Sequence, residues 1–119
     1  MTWEILKTRS ARSSPLPIVS FRESGTISMT TAARKMLGET AHVRLGIDRV
    51  GGRVGFFPCS ATDEGSRAIY GKGGSFTISA RTIIRDEKIL GRFRLIPYTP
   101  SDREPKPCPR AIIRMGEVE

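Results

Sequence analysis

The chain has 119 residues, 20 basic against 12 acidic, giving a net charge of +8 and a pI near 10.3. That length allows one ordinary domain, or two very small units that share a core. No run of 18 apolar residues exists and the first residues lack a signal-peptide core, so no membrane partner is expected and the expected location is cytoplasmic.

The excess charge attracts polyanions. Fifteen of the 20 basic residues are arginine, and the sequence contains neither Asn nor Gln. Arginine's planar fork binds phosphate or guanine through two hydrogen bonds, whereas adenine is usually read by Asn or Gln. Base readout would then rest on Arg, Lys, Ser and Thr, or on DNA shape. A GC-rich coding sequence or a heat-loving source accounts for the same bias. Cys59 and Cys108 are far apart and His42 is the only histidine, so no metal site and no cofactor are expected.

Residues 1–16 read as a basic arm carrying Arg9 and Arg12. Pro17-Ile18-Val19-Ser20-Phe21 has the β-branched centre of a strand, and Arg22-Glu23-Ser24-Gly25 reads as a turn. Thr26-Ile27-Ser28-Met29 alternates as a half-buried strand does. Thr30 or Thr31 can cap a short helix whose Ala32, Ala33, Met36 and Leu37 form an apolar face, leaving Arg34 and Lys35 toward solvent. Gly38 supplies its left-handed stop. Residues 42–58 form a hairpin turning at Val50-Gly51-Gly52. Residues 59–68 read as a polar connection.

A second half, 69–98, repeats the plan. Ser75-Phe76-Thr77-Ile78-Ser79 alternates like residues 26–30, displaced by 49, and a helix from Ala80 to about Glu87 follows. Arg92 to Pro97 reads as its closing strand. Gly71-Lys72-Gly73-Gly74-Ser75 reads as a hairpin turn, because it leads into a strand and lacks P-loop spacing. Halves 17–58 and 69–98 are expected to form one compact domain, 17–98. Five prolines between Pro97 and Pro109 set residues 99–119 apart as an extended tail. Its Ala111-Ile112-Ile113-Arg114-Met115 could add an edge strand to a sheet or to a partner.

Gly25, Ile27, Met29, Arg34, Leu37 and Gly38 match, without a gap, the strand-to-helix pattern of the swapped-hairpin domain in AbrB-like regulators and MazE-type antitoxins. This part of the chain resembles that family, with Thr26 replacing its usual arginine and Thr30 its usual proline. The resemblance implies an α+β, β-rich fold in which two hairpins interleave into a barrel-like core. With two related halves, the chain resembles MraZ-type regulators, which implies an intramolecular pseudo-dimer, or else a homodimer. It also implies a basic face turned toward duplex DNA.

Catalytic groupings are absent from the pattern: His42 sits in a strand, and Asp63-Glu64 and Asp86-Glu87 are neighbours that point to different faces. The chain is therefore read as a DNA-binding regulator and not as an enzyme. Its basic face is assigned to Arg22, Arg34, Lys35, Arg44, Arg49 and Arg53, with Lys72, Arg81 and Arg85 in the second half and Arg9 and Arg12 in the arm. A second reading is a protein-binding module, antitoxin-like or a phage-type inhibitor, whose tail engages a partner protein. A third is RNA or single-strand binding on a small barrel, with Phe56, Phe57, Phe76 and Phe93 as stacking platforms.

Overall fold

The computed structural model describes residues 16–72, 75–99 and 108–118. Arg9 and Arg12 of the basic arm lie outside these residues. The chain folds as two antiparallel five-stranded sheets and two short helices around one apolar core.

Strand β1 (Ile18–Phe21) and β2 (Thr26–Met29) form the first hairpin, with Val19 opposite Met29 and Phe21 opposite Ile27. Thr30 ends β2 and opens helix α1 (Thr31–Met36). Its hydroxyl accepts from the backbone N–H of Ala33 at 3.3 Å and of Ile18 at 3.1 Å, and donates to the Leu16 carbonyl at 2.9 Å. One side chain thus caps the helix and ties it to β1. Ala33 and Leu37 bury the inner face of α1, and Gly38 leaves the helix at φ +78°, where a side chain would be strained.

Strand β3 (His42–Asp48) and β4 (Arg53–Pro58) form the second hairpin, with Asp48 opposite Arg53 across the turn and Gly46 opposite Gly55. The polar connection, residues 59–68, ends in strand β5 (Arg67–Ala68), which pairs with the outer edge of β3. Strands β6 (Tyr70–Lys72) and β7 (Ser75–Ser79) make a third hairpin, and helix α2 (Arg81–Glu87) follows as α1 follows β2. In α2 it is Ile84 that is buried, while Ile83 is only half-covered.

The closing strand of the second half is divided. Strand β8 (Gly91–Arg94) pairs with β1, and β9 (Ile96–Pro97) belongs to the other sheet. Leu95, between them, is fully buried and donates its N–H to the Pro17 carbonyl, so the chain crosses from one sheet to the other through the core. Residues 111–114, read within the tail as able to add an edge strand to a sheet or to a partner, form β10 (Ala111–Arg114), an interior strand between β4 and β9. Ala111, Ile112 and Ile113 are all buried there. Burial explains the placement: three consecutive apolar residues, two of them with ladder partners on both sides, are far better covered inside a sheet than left as an edge.

The first sheet has the order β6-β7-β2-β1-β8 and the second β5-β3-β4-β10-β9. Two hairpins stand back to back in the first, where Ser28 faces Thr77, 49 positions later in the chain. Val19, Phe21, Ile27, Met29, Ile78 and Phe93 of the first sheet meet Val43, Val54, Phe56, Ala111 and Ile113 of the second in the core. The sheets stay separate, and no barrel closes among the described residues. No helix among them is long and apolar enough to cross a membrane.

Candidate nucleic-acid interface

The inward residues of the first sheet alternate with an outward set of a different chemistry. One row crosses the sheet through Tyr70, Thr77, Ser28, Ser20 and Arg92, each opposite the next in the ladders. Beside it lie Thr26 opposite Ser79, and Arg94 opposite Ile18. Arg22 folds over this face from the β1–β2 turn, its Nε donating to Ser28 Oγ at 3.1 Å. None of the five strands contains an Asp or Glu. Hydroxyls and guanidinium groups therefore face solvent across the sheet, with no carboxylate on its strands, although Val118 bridges to Phe93 and brings Glu117 to the free edge of β8.

At the end where Phe21 pairs with Gly91, the β1–β2 turn packs against α2. Gly25 has φ +91°, and a Cβ there would stand 2.7 Å from Arg81 Cβ and 2.8 Å from Arg81 Cα. Its carbonyl accepts from the Ala80 N–H at 2.8 Å. Glycine is needed on both counts, since no side chain suits that backbone or that space. Alongside the contact runs a groove of about 670 Å³ lined by Glu23, Ser24, Arg81, Ile84, Arg85, Lys88 and Leu90.

The residues assigned to a basic face are thus dispersed. Arg22, Arg81 and Arg85 gather around the β1–β2 turn, and Lys72 lies opposite Ser75 in the β6–β7 ladder. Arg44 and Arg53 alternate with Val43 and Val54, which face the core, and so belong to the outer side of the second sheet, away from the first. Arg49 is paired with Glu87 of α2, and Arg85 makes an exposed 3.2 Å contact with Asp86 that competes weakly with any anion. Lys35 is exposed as expected. Arg34 is not: its guanidinium lies 5.3 Å from the Phe76 ring centre, and its Nε and Nη1 are buried with no hydrogen-bond acceptor among the described residues. Cation–π attraction and the apolar edge of β7 draw it off the solvent side of α1.

Arg53 is held in its own hairpin. Its Nε and Nη2 donate to Asp48 Oδ2 at 3.0 and 2.7 Å, and Asp48 Oδ1 accepts from the Gly51 N–H at 2.9 Å. The Gly51 N–H, then Arg53, hold the Asp48 carboxyl below the usual carboxylate range, while Asp48 pushes the Arg53 guanidinium further up. This clasp borders a second hollow of about 280 Å³ on the outer side of the second sheet, walled by Phe57, Tyr98, Pro109 and Ile112.

The aromatics read as stacking platforms are mostly committed elsewhere. Phe56 and Phe93 are in the core, Phe76 lies under Arg34, and Phe57 lies over the paired Gly46 and Gly55. No group of three His, Cys, Asp or Glu residues able to hold a metal occurs among the described residues. Lys88 and Arg92 went unassigned from the sequence, as did Arg67, whose Nη1 donates to the Ser79 carbonyl. Their signal was present in part, since Arg92 and Arg94 flank Phe93 with the alternation of a half-exposed strand. Comparison with known proteins finds no matching family model, no matching curated protein and no matching solved structure.

Proposed function

We propose that the protein is a non-enzymatic, cytoplasmic DNA-binding regulator that meets duplex DNA with the outer face of its first sheet and the adjoining β1–β2 turn. The observation that carries this reading is the composition of that face: Ser20, Ser28, Thr26, Thr77 and Ser79 among Arg22, Arg92 and Arg94, with no acidic residue on any of its strands. Hydroxyls and arginines are the groups that contact phosphate oxygens and position a duplex.

An AbrB-like swapped-hairpin pseudo-dimer is the architecture we assign. Its support is the recurrence of hairpin and helix in β1-β2-α1 and β6-β7-α2, the meeting of β2 with β7 at Ser28 and Thr77, and the packing of Gly25 of one half on Arg81 of the other. β10 supplies the antiparallel partner to β9 that the second half otherwise lacks, as β4 partners β3. The protein-binding alternative loses its main support, because Ile112 and Ile113 are already paired inside the second sheet.

The test is a gel shift with duplex DNA, single-stranded DNA and RNA at two salt concentrations, on the native protein and on R22Q/R92Q. Duplex binding should dominate and weaken steeply with salt, and the double variant should bind more weakly with a flatter salt slope, by about two phosphate contacts. Native affinity and slope in a folded R22Q/R92Q protein would remove this face from the interface.

A further inference from the structure

We propose that the groove between the β1–β2 turn and α2 seats one phosphodiester strand of the bound nucleic acid, making contact one-sided although the two halves share a plan. The inference rests on the nucleic-acid reading above. Arg81 and Arg85 stand at i and i+4 on one face of α2, and Lys88, the left-handed residue that ends the helix, lines the same groove. Over its seven residues the helix is about 10 Å long. That is about three base-pair steps measured along a duplex axis. Three cations therefore line the trough, against the carboxylate of Glu23 and that of Asp86, which makes only an exposed contact with Arg85.

The remaining wall suits the same occupant. Ile84 is buried and Leu90 is 51 % exposed, giving an apolar surface against which sugar rings can lie. Arg22, on the neighbouring sheet face, follows directly from this turn, so a strand leaving the groove continues onto the hydroxyl row. The α1 half offers no counterpart, because Arg34 is folded over Phe76 and leaves Lys35 as the exposed cation of that helix.

The test compares two variants that each remove two positive charges: R85Q/K88N in the groove and R44Q/R114Q on the second sheet. Asn is used at Lys88 because the backbone there is left-handed, φ +53°, a conformation that Asn tolerates. Fluorescence anisotropy of a labelled duplex would be measured across a salt series, with thermal melting to establish folding. R85Q/K88N should lower affinity about tenfold to a hundredfold near 0.1 M salt and flatten the logarithmic salt slope by about 1.8, and R44Q/R114Q should do neither. Leu90→Arg, an addition at an exposed position, should steepen the slope by about 0.9.

Equal losses in the two double variants, or a slope unmoved by both the groove variant and Leu90→Arg, would overturn the groove while leaving nucleic-acid binding intact. Native protein that binds no nucleic acid at any salt would overturn both readings. Saturable binding of a poly-glutamate peptide, lost in R85Q/K88N, together with no binding of nucleic acid, would assign the groove to an acidic protein segment instead.

Discussion

Asp48 shows how one residue decides what a neighbouring cation can do. Its two oxygens hold the Gly51 N–H and the Arg53 fork, so the β3–β4 turn closes on an internal ion pair and Arg53 is occupied. Because the folded-state pKa of Asp48 is depressed, its contribution to stability is complete above its ordinary value of 3.8 and is lost as pH falls through the lower folded value. Asp48→Asn should lower the melting temperature near neutral pH, and the gap from the native protein should close below about pH 4. Melting curves of both proteins across that range check this, and a constant gap would mean that the carboxylate's charge is not what stabilises the turn. The pairing was legible in principle: Asp48 and Arg53 flank a four-residue turn containing two glycines, and a hairpin there must set them opposite each other. Arg49 and Glu87 are 38 residues apart, and nothing local announces their contact.

At the scale of elements, the alternating strands and the Thr30 cap were readable because their causes are local. Period-two burial specifies β2 and β7, a hydroxyl specifies the start of α1, and glycines specify the turns. β10 was legible as a strand that could join a sheet, but its interior place was not, for the opposite reason. Its flanking prolines and balanced charge look like a solvated tail, and only the vacant edge of β4, far away in sequence, makes it an interior strand. The same contrast applies to the interface. Arg22 and the α2 cations were legible as charge, but the divergence of Arg44 and Arg53 to the other sheet depends on how the sheets stack. Ile113 is fully buried between β4 and β9, so Ile113→Ala should destabilise the protein by about 2–5 kcal/mol, measured by denaturant unfolding. A loss below about 0.5 kcal/mol would place β10 outside the cooperative fold.

The whole molecule is tied together by exchanges between its halves. β2 pairs with β7, β1 with β8, β4 with β10, and Arg110 Nε donates to the Met36 carbonyl at the end of α1. Each half alone would expose one side of two sheets, with too small a core to compensate. Fragments 1–65 and 66–119 should therefore be unfolded or aggregated separately and regain circular dichroism and a melting transition when mixed. Two fragments that each melt cooperatively alone would show the halves to be independent domains. The sequence repeat pointed to two units sharing a core, and its limit is that a repeat gives the parts without their pairing.

The position of β10 also sets a schedule for synthesis. β4 ends at Pro58 and its partner begins at Ala111, 53 residues later. At about 5–20 residues per second, a ribosome needs roughly 3–10 s to cover that interval. The first two hairpins can form from its start and the third once Ser79 is made, yet the β4 edge offers unpaired N–H and C=O groups to any passing strand. Nascent chains are therefore most vulnerable to cross-pairing in this window. Slowing translation between residues 59 and 110 should raise aggregation more than the same delay placed after residue 114.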